Sequence, residues 1–156
     1  SVPTTGPNVR PGESPPKLPA LGRKHSAEGA EVFADFWLRT WDWAFATTNA
    51  SLMMSYYAKS CSDCAKAASQ FPRLQKEDEH ILGGRFSFKK SVLVYNDKRF
   101  GSDIAVDLTF AQARLRLVTA RGKTVQRDPR VAAITFRLWL KWVRGAWTVV
   151  QKGHVS

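Results

Sequence analysis

Ser26–Thr48, SAEGAEVFADFWLRTWDWAFATT, is the stretch whose reading decides the fold. Ala30, Phe33, Ala34, Trp37, Trp41, Ala44, Phe45 and Thr48 recur at three-and-four spacing, which gathers them on one side of a helix. Ser26 stands at the capping position, and Glu28 and Glu31 follow where the helix dipole favours anions. Phe36 and Trp43 widen the apolar stripe beyond one flat contact, so the helix requires a concave partner. Its end is expected near Asn49, a residue tolerant of left-handed backbone.

Downstream, residues 50–58 read as a short second helix with Leu52, Met53, Tyr56 and Tyr57 on its apolar side. Ala65–Lys76 reads as a third segment, shortened or kinked by Pro72, and Glu77–Glu79 as a solvated turn. After Gly83-Gly84 the period changes to two. Phe86, Phe88, Val92 and Val94 give a half-buried strand. A second strand is expected from Ile104 to about Thr119. Its apolar phase slips between Phe110 and Ala113, which predicts a β-bulge near Phe110–Gln112. Val131–Val143 alternates most clearly, and Arg144-Gly145 turns it into a return strand at Trp147. Helices first, then consecutive turn-connected strands, define an α+β class: N-terminal helices packed in a bent antiparallel sheet, a cone.

Upstream, residues 1–24 hold six of the eight prolines and show no apolar period. They read as a flexible stalk preceding a single domain over 25–156. No apolar run reaches the roughly 20 residues that span a bilayer. The chain opens on Ser, and a leader upstream of it is expected.

The formal charge of +11 is uneven: residues 98–156 hold 12 Lys/Arg against 3 Asp/Glu, residues 1–97 hold 12 against 10. Such a field attracts polyanions. Cys61 and Cys64 are too few to close a zinc site, and His25, His80 and His154 lack paired spacing. A disulfide, an inert reduced pair and a redox dithiol are the three readings. Asp63 between the thiols opposes thiolate formation, so the disulfide, in an oxidising compartment, is the expectation.

The block from Pro15 to Cys64 resembles a family of actinobacterial cell-envelope lipoproteins. The match rests on Leu18-Pro19, Gly29-Ala30, Phe33, Phe36-Trp37, Ala44, Leu52, Cys61 and Cys64, and departs at Trp41-Asp42-Trp43 and Thr48-Asn49. The ending WLKWVRGAWTVVQKG resembles the closing hairpin of the nuclear-transport-factor-2-like (cystatin-like) cone superfamily. The first resemblance implies export and a membrane anchor on a lipidated cysteine upstream of Ser1; it implies no activity.

Two sites compete. Arg114, Arg116, Arg137 and Lys141, with Trp139 among them, form one basic stripe if their strands pair. Its expected partners are anionic envelope polymer or lipid headgroups, and export disfavours nucleic acid. The alternative is a small-molecule or hydratase/isomerase-like pocket beneath the long helix. There Asp35 and Asp42 would supply carboxylates, and Trp37, Trp41, Tyr56 and Tyr57 a wall. No phosphate loop, nucleophile elbow or metal-ligand pair accompanies either, so no catalytic residue, metal or cofactor is expected. The expectation is a non-catalytic binding module.

Overall fold

The structure is a computed structural model that describes residues 1–155. Helix α1 spans Ala27–Thr47, and the Ser26 hydroxyl accepts from the Gly29 amide at 3.0 Å, as a cap should. It ends one residue before the expected position, at Thr48, whose φ of 55° is left-handed. Asn49 instead accepts from the Ser51 amide at the start of helix α2, Ser51–Met54. Helix α3, Ser62–Lys76, begins earlier than expected because Cys61 caps it. It runs through Pro72, which faces solvent while Phe71 and Leu74 hold the helix to the core.

Seven strands follow: β1 Glu79–Gly83, β2 Phe86–Val94, β3 Ile104–Gln112, β4 Leu115–Thr119, β5 Thr124–Asp128, β6 Val131–Val143 and β7 Ala146–His154. All ladders between them are antiparallel, in two sheets of order β1-β4-β5 and β2-β3-β6-β7. The expected strand from Ile104 to Thr119 is therefore two strands in different sheets. A register shift does fall between Phe110 and Gln112 on the β6 side, where the bulge was predicted. Two residues later the chain leaves the large sheet. The Glu77–Glu79 turn is also shorter than expected, because Glu79 already pairs with Thr119.

In β2 the register shifts between Phe88 and Lys90, so the simple alternation fails: Phe86 packs inward while Phe88 and Val92 are exposed. Arg144 and Gly145 both have positive φ (53° and 82°), the two-residue turn whose twist suits a hairpin.

The apolar stripe of α1 enters the core whole: Ala30, Phe33, Ala34, Trp37, Trp41, Ala44 and Phe45 are all buried. Trp41 meets Phe86 and Phe136 at 5.5 Å between ring centres, and Phe86 meets Phe110 at 4.7 Å. The large sheet thus covers one flank of the helix.

Its other flank is covered by the segment expected to be a free stalk. The Trp43 indole donates to the Pro3 carbonyl at 2.9 Å, and the Asn8 amide donates to the Ala46 carbonyl at 3.0 Å. Gly6 crosses the helix so closely that a Cβ there would lie 2.6 Å from the Thr47 Cα. Glu13 pairs with the buried Arg85, which also bonds Asp42 through Nε and Nη2 at 3.0 Å each. Residues 3–13 are thus part of the domain's packing. Proline excludes helix and strand there, but extended chain can still lie in a groove and bond through side chains and carbonyls.

The Arg85 hydrogen bond holds the Glu13 carboxyl below its ordinary range. A depressed carboxylate pKa stabilises the fold above the unfolded-state value, about 4.3, and the contribution disappears as pH falls through the lower folded value. Glu13→Gln should therefore cost about 1–2 kcal/mol in urea titrations at neutral pH. The gap between variant and wild type should close as the solution is acidified below about pH 4.

Candidate anion-binding site

The expected basic stripe is divided by the topology. β4 pairs with β1 and β5, whereas β6 pairs with β3 and β7, so Arg114 and Arg116 belong to one sheet and Arg137, Trp139 and Lys141 to the other. Arg137 is not free to bind. It lies opposite Asp107 and donates to both its oxygens at 2.7 and 3.0 Å, and to Asp97 at 2.9 Å. Trp139 is buried, covered by the Phe100 ring at 4.8 Å and by the Arg99 guanidinium at 5.3 Å. Only Lys141 of that group remains exposed.

The small sheet is different. Residues 113–130, ARLRLVTARGKTVQRDPR, carry six cations and one carboxylate. The turn at Arg121-Gly122 sets a register in which Arg116 lies directly opposite Arg127. Like charges opposed across a ladder destabilise it. Arg114, just before β4, closes the third side of a cavity of about 320 Å³ whose remaining lining is Leu82, Gly83 and Leu115.

Gly83 permits this geometry: with φ of 72°, it brings β1 so close to the Arg114 carbonyl that a Cβ would lie 2.4 Å from the oxygen. Asn8 fixes the same glycine by bonding its carbonyl at 2.9 Å and its amide at 3.2 Å. The Arg116 Nη1 donates to Thr124 at 3.0 Å, which orients the guanidinium. Among the described residues no carboxylate lies within ion-pair distance of Arg114, Arg116 or Arg127. Asp128 is engaged by the Gln126 amide at 3.1 Å. The arrangement is three guanidinium groups around a concave, partly apolar floor, suited to a phosphate-type anion.

The pocket beneath α1 is not assembled. Asp35 pairs with Arg39 at 2.9 Å on the outer side of the helix. Asp42 accepts from Arg85 and, at 2.8 Å, from the Phe86 amide; it borders only an outer cavity beside Glu13 and Pro15. Trp37 is fully buried and donates to the Met53 carbonyl at 3.1 Å. Tyr56 packs its ring edge-on against Phe36, and Tyr57, its phenol raised by burial, pairs with Val149. The helix–sheet interior where Trp41, Phe86, Phe110 and Phe136 meet is filled by their rings. A cavity of about 260 Å³ does open between α3 and the small sheet, lined by Phe45, Gln70, Leu74 and Gln112 among others, and none of the expected pocket residues reaches it. Cys61 and Cys64 are joined and buried. Arg127 is the site residue missed from the sequence, although a hairpin centred on Arg121-Gly122 places it opposite Arg116.

Fold and site together define an α+β protein with helices packed against two antiparallel sheets and a cationic face on the smaller one. The chain belongs to a family of unknown function, DUF6318, whose model matches residues 8–153. No curated protein matches it. Among solved structures, the intermembrane-space region of the chloroplast protein ARC6 is similar, with a TM-score of 0.56 at 11% identity over 85% of this chain and 98% of that one. A Nostoc punctiforme protein of unknown function, described as having a cystatin-like fold, aligns with a TM-score of 0.45 at 10% identity, covering 88% of this chain and 92% of its own. At such identities the likeness concerns the fold alone.

Replacing Arg127 by Thr removes the opposed charge and keeps a residue suited to a strand. Thermal unfolding should then show a gain of a few tenths to about 1 kcal/mol at low salt, shrinking as salt is added. A salt-independent loss would show that Arg127 is held by packing instead.

Proposed function

We propose that this chain is an exported, non-catalytic interaction module of the cell envelope, docking through its small sheet onto phosphate-bearing anionic surfaces. One observation carries the reading: Arg114, Arg116 and Arg127 surround one cavity with no carboxylate to neutralise them among the described residues. Opposed arginines are costly in a bare sheet, and a bound phosphoryl group would turn that repulsion into a shared attraction. The Cys61–Cys64 disulfide supports an oxidising compartment outside the cytosol. The lipid anchor upstream of Ser1 rests on the lipoprotein resemblance alone. An anchor there would bring the domain to the membrane and raise the effective concentration of headgroups at the basic face. The hydratase-like alternative lacks support from its carboxylates, since Asp35 and Asp42 are both bound to arginines.

The test is sedimentation with vesicles containing phosphatidylglycerol against vesicles of phosphatidylcholine alone. Wild type should bind the anionic vesicles. The variant Arg114→Glu/Arg116→Glu/Arg127→Glu should bind at least about tenfold more weakly, given about 1 kcal/mol per basic residue near the surface. Lys141→Glu, on the other sheet, should change binding little. Equal loss in both variants would mean that net charge alone attracts the protein. Displacement from the vesicles by a soluble glycerol-phosphate polymer would identify the envelope polymer as a competing source of the same phosphate chemistry.

A further inference from the structure

The cavity of about 260 Å³ between α3 and the small sheet lies on the sheet's other face. Alternation along β4 and β5 sends Arg114, Arg116 and Arg127 to one side, and Leu117, Gln126 and Asp128 to the other. Leu115, at the start of β4, borders both cavities. Across the three strands Ile81 lies opposite Leu117, and Leu117 opposite Gln126. Exposure rises along that row, from buried Ile81 through half-buried Leu117 to exposed Gln126. The sheet therefore leans away from the helical layer between β1 and β5, and the cavity is the gap that results. Phe45, Leu74 and Ile81, all buried, give it an apolar floor. Gln70, Arg73 and Leu74 reach it from one side of α3, at the three-and-four spacing of a helix face.

The polar groups on its walls are unevenly matched. Gln70 donates to the Ala67 carbonyl at 3.2 Å, Gln112 to the Gly84 carbonyl at 3.1 Å and Gln126 to the Asp128 carboxylate at 3.1 Å. Carbonyls and carboxylates only accept, so each amide is fixed with its nitrogen engaged. Among the described residues no protein group donates to the three amide oxygens that remain. Arg73 on α3 and Asp128 on β5 stand on opposite walls, and among the described residues neither belongs to an ion pair. One guanidinium facing a carboxylate and several amide oxygens, over an apolar floor, specifies the complement: one anionic group, one cationic group rich in donors, and an apolar body.

We propose that this cleft binds a small zwitterion of the amino-acid class with an apolar side chain, independently of the arginine face. The Arg73 guanidinium takes the carboxylate, Asp128 and the amide oxygens take the ammonium, and the side chain rests on Leu117 and the floor. A simple anion is opposed by Asp128 and a simple cation by Arg73, whereas a zwitterion satisfies both. The volume suits a compact ligand, since drug-sized ones occupy about 300–1,000 Å³.

L-Phenylalanine is a suitable probe, with hydrocinnamate, which lacks the ammonium, and phenethylamine, which lacks the carboxylate, as its counterparts. In nitrogen–proton correlation spectra, the Gln112 side-chain amide and the Leu115 and Leu117 backbone amides should shift saturably with phenylalanine. The dissociation constant should be on the order of a millimolar, as for other ligands of this size. Each counterpart should bind about tenfold more weakly, the loss expected of one charge-assisted bond. Arg73→Gln should lose the preference for phenylalanine over phenethylamine, and Asp128→Asn the preference over hydrocinnamate. Both positions are exposed, so both variants should melt close to wild type, and the change in discrimination then reports the site and not the fold. Unsaturable shifts, equal binding of either counterpart, or variants that keep wild-type discrimination would overturn the proposal. So would shifts confined to Arg116 and Arg127, which would mean that phenylalanine is held as an anion on the other face. None of these results bears on vesicle binding by the arginines.

Discussion

The whole architecture depends on one constraint: α1 carries more apolar surface than a single sheet can cover. Each fully buried large side chain contributes about 1.5–3 kcal/mol, so leaving either flank of this helix in water would forfeit much of a small domain's stability. The large sheet takes the flank of Trp41, Phe45 and Ala30. On the other side Trp43 and Ala46 form a separate cluster with Leu52 and Val9. Val9 belongs to the proline-rich segment, which explains why that segment is fastened by Asn8, Glu13 and the Pro3 carbonyl. The aromatic helix therefore dictates the course of the chain that precedes it as well as that of the sheet that follows.

The same helix decides where charge can go. Arg85 stands at the entry to β2 and holds Asp42 on α1 and Glu13 on the preceding segment in one bidentate network. Burial disfavours its charge, yet the bonds to Glu13 and Asp42 keep the guanidinium more firmly protonated than usual. A cation so placed ties three pieces of chain together, and its removal would leave two carboxylates facing each other. On the outer face of the large sheet, Arg99 and Arg137 share Asp97 and Asp107 in the same manner. Carboxylates on the large sheet and on α1 are thus tied to arginines, whereas Glu79 and Asp128 of the small sheet form no ion pair among the described residues.

Much of this was legible in the residues. The three-and-four spacing from Ala30 to Phe45 located the helix and its buried face, and Ser26 located its start. Alternation from Val131 to Val143 and the Arg144-Gly145 turn located the closing hairpin. The phase slip after Phe110 was read as a bulge, and a register shift is there, but a slip in parity cannot distinguish a bulge from a change of sheet. That ambiguity assigned Arg114 and Arg116 to the wrong neighbours. The proline-rich segment was misjudged for a related reason: absence of period excludes helix and strand, not contact. That Lys152 is buried was beyond reach of simple alternation, because the ladder between β6 and β7 shifts register between Trp139 and Leu140.

The two sheets consequently divide the work of a basic chain. Arg99 and Arg137 border or belong to the large sheet, and each has its charge absorbed by aspartates. The segment from Arg114 to Arg130 has one carboxylate among six cations, and that one is turned to Gln126. A net charge of +11 would be of little consequence if spread evenly over neutralised pairs. Concentrated on a three-stranded sheet, it becomes a local field strong enough to orient an approaching surface. The strand break at Ala113-Arg114 that separates the two sheets is what makes that concentration possible, because it carries the arginines away from Asp107, the one carboxylate of β3.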